Sequence, residues 1–326
     1  MPELPDVDLY VEHIARRVVG SPLEDVRVAS PFVVRTADPP ISAAKGRVVR
    51  KVSRLGKRIV LELGPDPPLC LVIHLMVAGR FKWAARGAKI PGRIGLAAFD
   101  FPSGTLLFRE ASTKKRASIH LVRPPDLASL DRGGLEVATS TPAEFAERMR
   151  RENRTLKRAL TDPHILSGIG NAYSDEILHR AKLSPVRLTQ RMDDETLTHL
   201  RAVIVDVLAE WTARLRESTG DAFPEEVTAF RPEMAVHGKY GKPCPTCGGP
   251  VQRIRYADNE SNYCPSCQTE GKLLADRSLS RLMRGDWPKT LDELEARKTA
   301  LGARPGAPAP AKVESEVKAA KPRRRR

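Results

Sequence analysis

Two groups of residues in this 326-residue chain have types and spacings that do chemistry. The first is four cysteines in two tight pairs, Cys244-Pro-Thr-Cys247 and Cys264-Pro-Ser-Cys267. A two-residue gap folds the backbone into a knuckle that presents two thiolates to one tetrahedral ion, and Gly248 supplies the positive φ that such a turn needs. The set fits one structural zinc ion that closes a small fold rather than catalysing. Two disulfides or four free thiols are the other reading, and the chain offers it no secretion signal and no further cysteine framework. Cys70, inside the apolar run Leu69-Cys70-Leu71-Val72-Ile73, reads as a small core residue. The second group is the start, Met1-Pro2-Glu3-Leu4-Pro5-Asp6. Removal of Met1 leaves Pro2 with a free secondary amine. An α-amino group ordinarily titrates near about 7.7 to 8, so part of it is neutral at physiological pH, unlike a lysine near about 10.4. Attack of that amine on a sugar C1′ gives an iminium ion, and the neighbouring Glu3 carboxyl is placed to handle protons on the opened sugar. Met-Pro is a common start, so the dipeptide alone decides nothing.

The charge narrows the partner. A net +15 favours a polyanion, because each neutralised phosphate releases condensed counterions. Residues 302–326 are Pro-, Ala- and Lys-rich, end in Arg323-Arg324-Arg325-Arg326 and lack apolar periodicity, so they read as a disordered basic tail. That tail has eight basic against two acidic residues, which leaves +9 on the rest of the chain. No apolar run approaches the ~20 residues of a membrane helix, so the protein reads as soluble and intracellular.

The elements that must position these groups divide by period. Val7, Tyr10, Val11, Ile14 and Val18 recur at helical spacing, predicting one helix to about Val19. Seven short strands follow, around 26–28, 46–52, 58–63, 69–75, 95–101, 105–109 and 118–122, as in an antiparallel sandwich. From about Pro125 the period becomes 3.6. Asp193-Asp194-Glu195 opens a helix whose Leu197, Leu200, Val203, Ile204, Val207, Leu208, Trp211 and Leu215 form one core stripe. Upstream, residues 155–162 and 172–181 read as helices around Gly168-Ile-Gly170-Asn171. Two glycines let such a turn approach a phosphate, with the amides of the next helix start and Asn171 as donors; a plain helix hairpin looks the same.

Met-Pro-Glu-Leu-Pro, a β-rich half, helix-Gly-Ile-Gly-Asn-helix and a four-cysteine hairpin together resemble the formamidopyrimidine-DNA glycosylase and endonuclease VIII family over about residues 1 to 270. The resemblance implies an α+β fold: a β-sandwich catalytic domain with an N-terminal helix over 1–124, a helix-two-turn-helix DNA-binding domain over 125–230 and a zinc finger over 231–272. Beyond the span of the resemblance, Leu273 to Met283 and Leu291 to Leu301 have helical patterning and form a helical extension over 273–301, and the tail over 302–326 follows. The resemblance implies a base-excision repair enzyme that acts on damaged double-stranded DNA as glycosylase and abasic-site lyase, by β- and δ-elimination, and as a monomer. Pro2 would be the Schiff-base nucleophile and Glu3 the proton donor. Lys57 would contact phosphate and assist proton transfer, and Glu176 would lie near the opened sugar. His74, Lys157 and Asn171 would contact DNA. The location implied is the bacterial cytoplasm at the nucleoid, or otherwise the nucleus.

Three departures stand out. The family's finger-tip arginine is Asn259 here, with Arg255 near enough to replace it from a shifted register. Val77 stands where a methionine fills the gap left by the extruded base, with Met76 one position earlier and, in a strand, on the opposite face. The expected arginine and phenylalanine wedge is replaced by Thr113-Lys114-Lys115-Arg116, a cationic run for phosphate contact or a solvated loop. Phe223 and Phe230, just before the finger, are each candidates either to stack on a base or to anchor the loop. The rival functions are a non-catalytic binder of damaged DNA on this scaffold and a zinc-ribbon transcription factor, which leaves Pro2 and Glu3 unexplained. The basic tail is a candidate contact for a repair partner.

Overall fold

The computed structural model describes residues 1–302 except 226, 229, 257–258 and 275–287. It forms two compact units, Met1–Glu270 and the segment from Gly271. In the first, helix α1 (Leu4–Val18) precedes eight strands: β1 (Asp25–Val28), β2 (Val48–Leu55), β3 (Arg58–Gly64), β4 (Leu69–His74), β5 (Gly79–Ala84), β6 (Gly95–Phe101), β7 (Gly104–Glu110) and β8 (Ser118–Val122). They pair antiparallel in two four-stranded sheets, β1-β6-β7-β5 and β2-β3-β4-β8. Facing residues of both sheets, including Ile59, Leu61, Leu71 and Ile73 from one and Phe81, Phe99 and Phe108 from the other, share one core with Val7, Tyr10, Ile14 and Val18 of α1. The alternation that makes a strand two-faced closes this sandwich. The outer face of the second sheet carries a smaller cluster of Val60, Cys70, Val72 and Val122.

The eighth strand, β5, is the one that the sequence hides. Its alternate positions, Arg80 and Lys82, are cationic, and only four residues separate it from β4. Those four are a turn rather than a strand end. The Gly79 amide donates to the Leu75 carbonyl at 2.8 Å, Met76 has φ 53°, and a Cβ at Gly79 would lie 2.2 Å from that carbonyl oxygen. The expected strand alternation of Met76 and Val77 therefore does not apply. Val77 projects to solvent, 57% exposed, because the turn places it at its tip.

The helical half has its own core. Helix α2 (Pro142–Arg150) starts at Thr141, whose hydroxyl accepts from the Glu144 amide. Helices α3 (Leu156–Thr161) and α4 (Asn171–Arg180) follow, and then α5 (Asp194–Thr219), with Asp193 as N-cap. All eight residues of the predicted α5 stripe are buried. The finger is a hairpin of β9 (Gln252–Arg255) and β10 (Glu260–Tyr263) followed by the short α6 (Pro265–Gln268). In the second unit, α7 (Leu291–Gly302) corresponds to one of the two predicted extension helices. Most of the other, 273–283, and the tail from 303 lie outside the described residues. No described helix is long and apolar enough to cross a membrane.

Candidate active site and DNA-facing surface

The N-terminus of α4 carries unsatisfied amides and the positive end of a helix dipole, a site for an anion. Here the anion is the protein's own Glu3. Its Oε2 accepts from the Gly170 amide at 2.6 Å and the Tyr173 amide at 3.2 Å, and its Oε1 from the Ala172 amide at 2.9 Å. A Cβ at Gly170 would lie 2.5 Å from Glu3 Cδ, so glycine makes room for this carboxylate. Gly168, at φ 81°, packs against Leu4 and its carbonyl accepts from the Leu4 amide at 2.9 Å. The glycine turn was expected to offer its amides to a phosphate. Instead it seats the start of α1, because a buried internal carboxylate already fills the helix end.

Pro2 and Glu3 are buried. The Glu3 amide donates to Asp6 Oδ2 at 2.9 Å, and Asp6 Oδ1 accepts from Arg231 at 2.9 Å. Burial first, then the positive charges of Arg80 and Lys57, hold the Met1 α-amino group below its ordinary value, while Glu3 and Asp6 oppose them. Lys57 sits in the two-residue turn between β2 and β3, where Gly56 takes φ 59°. Burial lowers the Lys57 ammonium and Glu3 offsets part of that. Arg54 fixes the hairpin: its guanidinium holds Glu136 at 2.8 and 2.6 Å and Asp8 at 2.9 Å, joining β2 to the helical half and to α1. A nucleophile precursor, a pinned carboxylate and a desolvated lysine thus converge from two ends of the sandwich.

Lys157, Asn171 and Glu176 are arranged differently from what the resemblance implies. The buried Lys157 ammonium donates to the Asn171 carbonyl at 2.7 Å, Ser174 Oγ at 2.8 Å and Asp175 Oδ1 at 2.6 Å, so all three of its protons have internal partners. A phosphate would have to displace one of them. Asp175 also accepts from His237 at 2.8 Å and from Ser261 at 3.1 Å. Despite complete burial it is held below the usual carboxylate range, chiefly by Lys157 and His237. The Asn171 amide donates to the Glu260 carbonyl at 2.9 Å, tying α4 to the finger. Glu176 accepts from the main-chain amides of Ala235, Val236 and His237 at 2.7, 3.0 and 2.9 Å and bonds neither Glu3 nor Lys57. In this structure it anchors residues 235–237.

Around this centre, His74 lies directly across from Arg58. Burial and the charges of Arg58 and Lys57 push its imidazole down to about 4. Lys114, Lys115 and Arg116 are exposed on the loop between β7 and β8. Buried Glu110 accepts from the Arg116 and Ala117 amides at 3.0 and 3.2 Å and shapes this loop, and the Lys115 ammonium donates to the Glu110 carbonyl. On the finger, Arg253 stacks over Tyr240 at 4.2 Å and pairs with Glu260 at 3.4 Å, whereas Arg255 and Asn259 are exposed where the hairpin turns. Phe223 packs against Tyr10, His13 and Trp83, so it is the loop anchor. Phe230 is 70% exposed and stacks on His237.

The four predicted cysteines meet. Their sulfurs all lie within 4.8 Å of one another, with Cys244 to Cys267 at 3.9 Å and Cys247 to Cys264 at 3.4 Å. A tetrahedral zinc with Zn–S near 2.3 Å sets sulfurs about 3.8 Å apart, so the donor set fits one structural zinc. Gly248 has the expected positive φ, 76°, and His179 Nε2 lies 3.2 Å from Cys244 Sγ.

Sequence reasoning missed Asp6, Arg80, Asp175, Arg231 and His237. Arg231 meets Asp6 across 225 positions, and no spacing signals such a contact.

Residues 1–117 match the formamidopyrimidine-DNA glycosylase N-terminal domain, 135–220 the formamidopyrimidine-DNA glycosylase H2TH domain, and 241–269 a zinc finger found in FPG and IleRS. The formamidopyrimidine-DNA glycosylase of Geobacillus kaustophilus is 32% identical over 283 residues, covering 82% of this chain and 100% of its own length. An uncharacterized formamidopyrimidine-DNA glycosylase-like protein of Mycobacterium tuberculosis is 38% identical over 160 residues, 49% of this chain and 98% of its own. A Lactococcus lactis FPG mutant in complex with a Fapy-dG containing DNA has a TM-score of 0.71 at 25% identity, over 82% of this chain and 100% of that one. The wild-type L. lactis protein with an oxidized pyrimidine containing DNA gives the same values. With the sandwich, the helix-turn-helix half and the four-cysteine finger in the same order, the chain belongs to the formamidopyrimidine-DNA glycosylase family of base-excision repair enzymes.

Proposed function

We propose that this protein is a bifunctional glycosylase and abasic-site lyase that excises oxidised bases from duplex DNA, as a monomer, through a Schiff base on Pro2. The observation that carries this reading is the convergence on the N-terminus of Glu3, locked by three main-chain donors, and Lys57. A base within a duplex shields C1′, so the nucleotide is extruded at a cost of about a few kcal/mol, least for a damaged pair. The neutral Pro2 nitrogen attacks C1′, the C1′–base bond breaks, and the base leaves with a proton. Ring opening gives an iminium whose C2′ hydrogens are acidic. Loss of a C2′ hydrogen expels the 3′ phosphate, and loss of the C4′ hydrogen from the conjugated iminium so formed expels the 5′ phosphate. Glu3 exchanges protons with the sugar oxygen, Lys57 holds phosphate charge, and the zinc holds the finger that carries Arg255 and Asn259. Lys114, Lys115 and Arg116 add phosphate contacts, and Val77 enters the space vacated by the base.

Borohydride trapping of the Met1-processed protein on duplexes with an abasic site, 8-oxoguanine or an oxidised pyrimidine tests this. A covalent adduct that is lost in Pro2→Gly and weakened in Glu3→Gln is expected, and the lesion that supports it names the substrate branch. Tight lesion binding with no adduct on any duplex would favour the non-catalytic binder, for which an uncharged Asn259 on the finger is the supporting feature.

A further inference from the structure

Many arginines of this protein have acidic partners. Arg27 pairs with Asp100, Arg86 with Glu24, Arg154 with Asp162 and Arg216 with Glu12. Arg58 does not. Its half-buried side chain forms no hydrogen bond or ion pair among the described residues, although a guanidinium offers five donors. It begins β3 directly after Lys57 and pairs across the sheet with His74, which pairs in turn with Ser118. His120, two residues along β8, shares that face by strand alternation. The groups acting on this row from the surrounding elements are nearly all of one sign. Arg132, past the end of the sandwich, and Lys57 act on His74 together with Arg58, while Arg35 and Arg58 act on His120. The one carboxylate that offsets the field at Arg58 is Asp131.

Like charges crowded onto a partly desolvated surface raise the energy of the free protein and lower it again when a polyanion arrives. We infer that Arg58 and Arg132 form a DNA-phosphate site on the outer end of the β2-β3-β4-β8 sheet, continuing the backbone track beyond Lys57 and His74. Three strands at about 4.8 Å apiece make a row about 10 Å long, matching the axial rise of about three nucleotides of one strand. Nothing on the row reads a base edge, so the site adds affinity without sequence or lesion preference. The inference rests on the DNA-repair reading above but not on its chemistry.

Fluorescence anisotropy with the full chain measures it, using a duplex bearing a tetrahydrofuran abasic analogue and an undamaged duplex, over about 50 to 300 mM salt. Arg58→Ala is expected to weaken binding to both duplexes by the same factor, about fivefold, and to flatten the slope of log K against log salt by about one. Arg58→Lys keeps the slope. Arg132→Ala, at an exposed position whose side chain makes no hydrogen bond or ion pair among the described residues, lowers the slope in the same sense and guards against misfolding of the first variant. Slopes unchanged in both alanine variants would overturn the site, as would a loss confined to the damaged duplex. Wild-type protein that binds DNA without trapping would overturn the lyase reading while leaving the salt slopes to decide this one.

Discussion

Two clusters of ionisable groups flank α4, and they differ in what they leave unsatisfied. On one side Lys157, Asp175 and His237 form a closed network in which the ammonium makes three internal bonds, with Glu176 bound to three amides next to it. On the other, Glu3 is pinned, but Lys57 makes no side-chain bond among the described residues, and the Met1 α-amino group is depressed by burial and neighbouring cations. A closed network fixes geometry, whereas unmatched cations beside a nucleophile await a substrate that brings the missing charge. Motif matching cannot tell the two apart, because Lys57 and Lys157 are both motif lysines.

The sharpest way to break this contrast is to remove each ammonium in turn. Lys157→Met leaves Asp175 buried with one cation fewer, which costs about 3 to 5 kcal/mol and, in a unit of this size, lowers Tm by roughly 10 °C. Wild-type Asp175 has its titration depressed by folding, so the stability that it contributes is present above the ordinary aspartate range and is lost as pH falls through its lowered value; the mutant loses that share at neutral pH too. Lys57→Met is expected to leave Tm nearly unchanged, because burial already disfavours its charge, while slowing adduct formation. Differential scanning calorimetry beside borohydride trapping checks both. Equal Tm losses would show the clusters to be alike.

Next in size is Gly170→Ala. Gly170 has an ordinary negative φ, so alanine is tolerated by the backbone, and the nearest clash falls on the Glu3 side chain. Expelling that carboxyl from three amides is expected to cut trapping about 100-fold with only a few degrees lost in Tm. A variant with normal trapping would mean that the seat of Glu3 does not matter to the chemistry.

How far these sites were legible depended on sequence distance. The cysteine pairs and the α5 stripe are local patterns, and short-range periodicity carries them. The seven predicted strands were visible as short runs rich in β-branched and aliphatic residues between turn signals, whereas β5 was masked by Arg80 and Lys82 on its outer positions. The glycine turn was visible too, but its partner is 167 positions away, so a surface amide donor and a buried carboxylate seat looked the same from sequence. Glu176 shows the same limit: its type was readable, while the three amides that hold it depend on where residues 235–237 cross α4.

The finger gives a smaller effect. Arg253 stacks on the Tyr240 ring and pairs with Glu260, and Arg255 is exposed beside the hairpin turn. If Arg255 supplies the charge that Asn259 lacks, Arg255→Ala lowers cleavage of a lesion duplex about tenfold and Arg253→Ala about twofold. Equal, negligible effects in single-turnover cleavage would sink the replacement.

Arg80 offers the finest test, because its two effects separate by substitution. Its guanidinium donates to the Gly79 carbonyl at 2.6 Å and the Val77 carbonyl at 3.2 Å, bracing the turn that exposes Val77, and its Nε donates to the Val227 carbonyl. Its charge also lowers the α-amino group, against Glu3 and Asp6, which raise it. Arg80→Met removes both, so the amine titrates higher, the acid limb of the trapping profile moves to higher pH, and adduct formation at pH 7 slows about threefold. Arg80→Lys keeps the charge and loses the planar fork, so the limb stays in place while excision of an intact lesion base falls relative to cleavage of a preformed abasic site. Trapping measured from pH 5.5 to 9 on both substrates separates the two. If the lysine variant shifts the limb as methionine does, the bracing of the turn, and not the charge, sets the amine.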